Sequence, residues 1–329
     1  MSIGMVECGM DKPLVSIIIP CFNSEQWIRE TIYSVLAQNV ENVEIIVIDD
    51  GSTDDTGNIV RKDFPSARLI RTERQGASRA RDLGTRISSG EFIQYLDSDD
   101  LLAENKIAIQ VGVLRKTGAD VAYGDWKKLV RRADGVFVRG EIIRRKIRNP
   151  EIDLFTGDAY NPPFAYIFRR SIVEAVQGFN EHLPVIQDAR FVFDCALRGA
   201  RFVYCQGLMG YYRVHSKDSL SRRDAVAFVR DCLLNAEEIE TWWASHKGIS
   251  DERKKALLRV YGYIARASFE NDKPTFEVAY KRLERLDPRY TPSNNVLLKL
   301  LSFLFGYRNA EMAALQYRRL KRCILPVPW

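Results

Sequence analysis

A mixed, mostly parallel α/β sheet with helices on both faces, followed by a helical C-terminal region, is the fold class this 329-residue sequence predicts. Three observations carry that prediction. Short β-rich apolar runs alternate with helical patterns as far as Tyr123. Three polar clusters directly follow strand or strand-like runs, at the carboxyl ends where open α/β sheets bind ligands. From Asp224 onward the pattern is helical to the end.

Val15 to Ile19 is the first strand, ended by Pro20, and Glu25 to Gln38 has helical spacing with Trp27, Ile28, Ile32, Val35 and Leu36 on one side. Glu44 to Ile48 is a second buried strand, Thr53 to Lys62 a helix capped by Ser52 or Thr53, and Ala67 to Ile70 a third strand. Ala77 to Ile87 is a helix, Phe92 to Leu96 the fourth strand, Ala103 to Lys116 a helix and Asp120 to Tyr123 a fifth strand. Such alternation gives a largely parallel sheet. After Trp126 the pattern changes: Leu129 to Val138 reads as a hairpin around Ala133-Asp134-Gly135. A turn at Asn161-Pro162-Pro163, a short helix from Arg170 to Val176 and a helix from Phe191 to Arg198 follow. Arg201 to Tyr204 and Met209 to Val214 are strand candidates, and Asp251 to Glu270 with Phe276 to Leu286 reads as a helical hairpin.

Six cysteines are scattered without CxxC pairing, which argues against a zinc knuckle or disulfide framework and fits a reducing compartment. The first residues carry Glu7 and Asp11 and lack an apolar core, so no secretory signal is expected, and no run of about 18 apolar residues predicts a membrane span. The net charge is +6, and from Pro288 onward seven Lys and Arg residues stand against Glu311 alone, so the tail holds the whole excess. A tail of this kind favours an acidic surface: anionic lipid, nucleic acid or an acidic partner.

The chemistry concentrates in the three clusters. In Asp97-Ser98-Asp99-Asp100, carboxylates crowd the end of a buried strand and repel one another unless a cation or ligand offsets the charge. A hard divalent metal shared with a substrate phosphate is the common solution, while a helix start at Leu101-Leu102 is the bland alternative. Asp49-Asp50-Gly51-Ser52 places a carboxylate where it can accept from a uracil-type N–H, Asp49 and Asp50 being alternatives; a tight turn is the bland account. Pro20-Cys21-Phe22-Asn23 forms the third cluster.

These segments, with Gly76-Ala77-Ser78-Arg79-Ala80-Arg81-Asp82-Leu83-Gly84 and Phe92 to Asp100, resemble glycosyltransferase family 2. The likeness extends to Gly178-Phe179-Asn180, Gln187-Asp188 and Tyr212-Arg213-Val214-His215, and covers roughly residues 13 to 220. It implies the A-type glycosyltransferase fold, with a Rossmann-like mixed sheet, and an inverting transferase that uses a nucleotide-sugar. The resemblance favours Asp50 over Asp49 for the base and sets Pro20, Phe22, Asn23 and Ser98 on the donor side. It implies that Arg81 contacts the nucleotide or its diphosphate, against the alternative of a solvated helix charge. Asp82 stands where the family often has Asn. Asp97-Ser98-Asp99 corresponds to the metal-binding signature for Mn²⁺ or Mg²⁺, with Asp99 as direct ligand and Asp97 toward the ribose or a metal-bound water; His215 completes the shell or contacts the diphosphate, and the bland reading of Asp100 is a cap on the next helix. Asp188 is the expected general base, and Gln187 replaces the usual first acid of that pair. Trp126, Tyr160 and Phe164 stack on a sugar ring or pack in the core.

The resemblance divides the chain into a nucleotide-sugar half (1–125), an acceptor half of the same catalytic domain (126–222) and a helical region (223–329). Expected partners are a UDP-linked donor, a saccharide or lipid-linked saccharide acceptor in surface polysaccharide or glycolipid synthesis, and an anionic membrane surface for the basic tail. Nucleic acid is not expected, and oligomerisation is left open. That places the protein in the cytoplasm, peripheral at the inner face of the membrane. The tail's apolar run, Val296 to Phe305, reads equally as an interfacial segment, a partner helix or a packed helix. A nucleotidyltransferase would carry a Gly-rich basic loop after the first strand, which Pro20 to Asn23 is not. A binding protein without catalysis is the remaining alternative.

Overall fold

The computed structural model describes residues 15–131, 137–214, 224–292 and 296–324, with side chains in the last segment to residue 317. The chain divides into two compact units, residues 1–216 and 217–329.

The first unit holds β1 (Val15–Cys21), α1 (Ile28–Leu36), β2 (Val43–Asp49), α2 (Thr56–Asp63), β3 (Arg68–Arg71), α3 (Ala77–Ile87) and β4 (Phe92–Tyr95). It continues with β5 (Leu101–Leu102), α4 (Lys106–Thr117), β6 (Val121–Arg131), β7 (Phe137–Ile143) and α5 (Pro150–Phe155). It closes with β8 (Tyr166–Arg169), α6 (Arg170–Val176), α7 (Gln187–Leu197) and β9 (Phe202–Val214). The described strands form one sheet in the order β3-β2-β1-β4-β8-β6-β9-β5, with β7 paired to β6. Strands β3, β2, β1 and β4 are parallel neighbours, as are β6 and β9. β8 lies antiparallel between β4 and β6.

Every residue of β1 is buried, as a strand covered on both faces requires. Val15, Ile17 and Ile19 join a core with Ile28 and Ile32 of α1, while Ile18 joins another with Phe168, Phe179 and Phe191. That division is the period-two alternation of a strand. Gly84 lets α3 lie against the sheet, because a Cβ there would collide with Ile18 Cγ2.

Several expectations are corrected. Pro20 does not end the first strand; it lies inside β1 opposite Ile48. Leu101-Leu102 does not start a helix but pairs with Tyr211 and Gly210 of β9, and the helix begins at Lys106. Asp100 is therefore no helix cap: its Oδ1 accepts from Arg213 N at 2.8 Å. The N-cap position of α2 is Asp55, not Ser52 or Thr53. The strand β8 was not foreseen, and the two late strand candidates are one continuous β9. The hairpin pairs Leu129 with Arg139 and Val130 with Val138, while its turn at residues 133–135 lies outside the described residues.

The second unit is helical over its described residues: α8 (Ala225–His246), α9 (Asp251–Ser268), α10 (Lys273–Leu286), α11 (Val296–Phe305) and α12 (Tyr307–Ile324). Asp224 and Ser250 cap α8 and α9 through Ala227 N and Arg253 N. Trp243, Tyr261, Ile264 and Leu283 are buried in its core, where Tyr261 Oη donates to the buried Glu240 at 2.7 Å and Arg282 and Arg285 pair with the same carboxylate. No described helix is long and apolar enough to cross a membrane.

Candidate active site

The parallel strands β1, β2 and β4 end side by side, and the three polar clusters lie at their carboxyl ends, the first two beginning in the last residues of β1 and β2. Asn23, in a left-handed conformation at φ 51°, ties the first loop to the second: its N–H donates to Ser52 Oγ at 3.0 Å and its Oδ1 accepts from Thr53 N at 2.8 Å. The Phe22 ring is half-buried under the Arg74 guanidinium, 4.0 Å from its centroid. The first and third loops meet through Ser24 Oγ and Ser98 Oγ at 2.7 Å, and Thr31 Oγ1 donates to Ser98 O at 2.9 Å.

The acidic pair after β2 divides its work. Asp50 accepts from Gln75 N and Gly76 N, each at 2.8 Å, and so fixes the loop that leads into α3. Asp49 is fully buried; its Oδ1 accepts from Ser52 N at 2.8 Å, and its Oδ2 has no hydrogen bond, with Arg71 Nε 3.7 Å away. Of the two, Asp49 has the oxygen still to be satisfied.

Arg81 is the hub. It projects from α3, is 3% exposed, and its guanidinium pairs with Asp97 at the end of β4. Its Nη1 donates to Gln187 Oε1 at 2.7 Å, in the first turn of α7. The reading of Arg81 as a solvated helix charge is corrected by that burial. Helix α7 is held by aromatic packing: Phe191 stacks on Phe179 with centroids 4.2 Å apart, and Tyr95 meets both edge-on. Phe179 is fixed in turn by Asp82, whose carboxylate accepts from Phe179 N at 3.1 Å. Burial pushes the Asp82 carboxyl up to about 6 against that hydrogen bond.

Asp188 stands in the first turn of α7, where the helix dipole favours a negative charge. Tyr160 Oη donates to Asp188 Oδ2 at 3.2 Å. Burial and the Asp188 charge both push the Tyr160 hydroxyl well up, so it stays protonated and donates. Tyr160 is held in place by its neighbour Asn161, which accepts from Trp126 Nε1 at 3.0 Å and donates to Ala159 O at 3.0 Å. Trp126 and Phe164 are core residues, 5% and 0% exposed, whereas Tyr160 is 36% exposed beside Asp188. A cavity lined by Arg81, Asn161, Pro163, Phe179, Asp188 and Val192 lies among these groups.

Negative charge accumulates here. Burial pushes the Asp97 carboxyl up, helped by Asp99 and Asp188 and opposed by Arg81. Burial, Asp99 and Asp97 push the fully buried Asp100 well up, and its Oδ2 has no hydrogen bond. A cation among these oxygens would relieve that repulsion. Hard divalent ions are commonly held by one or two carboxylates and completed by substrate phosphates, and Asp97 with Asp99 fits that pattern. Among the described residues no three His, Cys, Asp or Glu side chains form a metal cluster on their own. His215 lies outside the described residues.

In the sequence Arg213 stands out only as part of Tyr212-Arg213-Val214-His215, and the structure gives it a place. Its guanidinium is buried at 2% exposure, pairs with Glu30 at 2.7 Å and lies 4.3 Å over the Trp27 ring, while its backbone holds Asp100. Tyr160 and Gln187 gain partners of the same kind.

A family model described as glycosyl transferase family 2 matches residues 16–176. That match spans just under half of the chain and takes in all three polar clusters. Over 120 residues the chain is 38% identical to the Escherichia coli UDP-Glc:alpha-D-GlcNAc-diphosphoundecaprenol beta-1,3-glucosyltransferase WfgD, covering 36% of the chain and 47% of that relative. The chain spans about half or less of the curated relatives it matches. Among solved structures, S. aureus TarS residues 1–349 in complex with UDP-GlcNAc matches with TM-score 0.68 and 20% identity over 92% of both chains. The Pyrobaculum calidifontis mannosyltransferase PcManGT in complex with GDP-Man and Mn²⁺ matches with TM-score 0.55 and 18% identity over 95% of this chain and 88% of that one. These likenesses show the A-type glycosyltransferase fold.

Proposed function

We propose that this chain transfers a sugar from a UDP-linked donor to an acceptor hydroxyl, with inversion, in surface polysaccharide or glycolipid synthesis. The observation that carries the reading is the buried Arg81 link between Asp97 and the first turn of α7. It ties the donor-side carboxylate to the helix turn that carries the candidate base, and a single displacement needs the two held in a fixed relation.

In this reading Asp188 takes the acceptor hydroxyl proton as the acceptor oxygen bonds to the anomeric carbon. The bond from that carbon to the diphosphate oxygen breaks on the opposite face, and its electron pair leaves with the diphosphate. Tyr160 engages Asp188 Oδ2, which leaves Oδ1 for the proton. Arg81 offsets charge on the departing diphosphate, and the loops of Pro20, Phe22, Asn23, Asp49, Asp50 and Ser98 shape the nucleotide end. Asp99, Asp97 and His215 are the proposed holders of Mn²⁺ or Mg²⁺, which when bound neutralises phosphate charge. Residues 1–125 serve the donor, residues 126–222 the acceptor, and residues 223–329 form an appended helical region.

A lipid-linked saccharide acceptor, met at the cytoplasmic membrane face, is supported by the likeness to WfgD, whose name specifies a diphosphoundecaprenol-linked substrate. The test incubates the chain with a panel of nucleotide-sugars, Mn²⁺ or Mg²⁺, and a polyprenyl-diphosphate saccharide. The expected outcome is a β-linked product and released UDP. A nucleotide-sugar that binds without transfer to any saccharide would replace this reading with a binding role.

A further inference from the structure

In the helical unit, α11 turns apolar side chains outward as well as inward. Leu298 and Ser302 face inward, at 3% and 5% exposure. The opposite face carries Val296, Leu300, Phe303 and Leu304 at spacings of four, seven and eight residues, with exposures of 86%, 54%, 77% and 59%. An ordinary surface helix turns its polar side to water. A continuous exposed apolar stripe marks a contact surface.

The charges around the stripe identify what covers it. Helix α11 contains no acidic residue, and exposed Lys299 flanks the stripe. Glu311, the sole acid of α12, is fully buried. Helix α12 carries Arg308, Arg318, Arg319, Lys321 and Arg322 in its sequence. Two copies meeting face to face would bring these like charges together, whereas an anionic bilayer offers both an apolar interior and opposite charge. At ten residues α11 is about 15 Å long, half the roughly 30 Å hydrocarbon core, so it suits lying in the interface and not crossing it.

We propose that the outward face of α11 inserts into the surface of an anionic bilayer, drawn there by Lys299 and by the basic excess of the C-terminal sequence. None of the residues named here belongs to the proposed transfer site, so the proposal stands or falls independently of the proposed reaction. The test sediments the full chain with phosphatidylcholine vesicles, with and without phosphatidylglycerol, beside a Leu300→Ser/Phe303→Ser/Leu304→Ser variant. Those side chains are exposed, so the variant should keep its Tm, and UDP binding serves as a second check of folding. The expected result is binding that needs phosphatidylglycerol, weakens at high salt, and falls about tenfold or more in the variant. Equal binding by both proteins overturns the proposal, as does no vesicle binding by either. A concentration-dependent dimer that the substitutions abolish, without vesicle binding, would assign the face to a second copy.

Discussion

The Arg81 guanidinium pairs with the Asp97 carboxylate while its Nη1 donates to Gln187 Oε1, so one buried side chain spans the end of β4 and the start of α7. Gln187 is neutral, which leaves Asp97 as the acidic partner the structure gives Arg81 there. Lysine cannot make this two-armed contact. Arg81→Lys should lower kcat/KM about 100-fold, whereas Arg79→Ala, which loses an exposed pair with Glu181, should change it less than about twofold. Steady-state kinetics on both variants decide the matter, and unchanged kcat/KM in Arg81→Lys would refute the bridging role.

Asp188→Asn keeps the size and polarity of the side chain but removes the proton acceptor. Donor binding by calorimetry should be retained while transfer falls about 1,000-fold. Tyr160→Phe removes the hydrogen bond to Oδ2 and leaves the base, so a loss of about tenfold is expected. Full turnover by Asp188→Asn would move the base elsewhere.

The repulsion among Asp97, Asp99 and Asp100 predicts metal linkage. UDP should bind at least about tenfold more tightly with Mn²⁺ or Mg²⁺ than after chelation, and Asp99→Ala should abolish the difference. Calorimetry showing the same metal dependence in both proteins would exclude Asp99 as a ligand.

Burial holds the Asp82 carboxyl at about 6 in the folded chain. The unfolded chain releases that proton near the ordinary carboxylate value of about 4, so the folded state binds more protons between the two. Asp82 therefore contributes stability that is complete below about pH 4 and lost as pH rises through about 6. Asp82→Asn keeps an acceptor for Phe179 N without the charge. It should gain about 1–2 kcal/mol at neutral pH and almost nothing near the lower value, as read from denaturant melts at both. Equal gains at both pH values would show that the carboxylate charge is not the cause.

The sheet order explains what could be read beforehand. β1, β2 and α3 announce themselves through apolar runs and the periodic face of Ala77 to Ile87. β8 is four residues between a proline turn and a helix, and its place comes from antiparallel pairing with β4 and β6, which no local pattern records. The misreading of Leu101-Leu102 has the same origin, since its partner Tyr211 is distant in sequence. The acidic loops were legible because strand ends and carboxylates are local signals. The contact of Arg81 with Gln187 spans 106 residues, and that of Tyr160 with Asp188 spans 28, so both required the folded chain.

The position of β8 has a consequence for synthesis. Until residues 166–169 leave the ribosome, β4 is an open edge of a four-stranded parallel sheet, and Val121 to Tyr123 of β6 have no neighbour on that side. A nascent or truncated chain that stops near residue 125 therefore presents a bare, apolar strand to other chains. Cutting the protein near residue 125 should yield aggregates in place of a folded fragment. One four-residue strand, arriving late, closes the edge that the first four strands leave open.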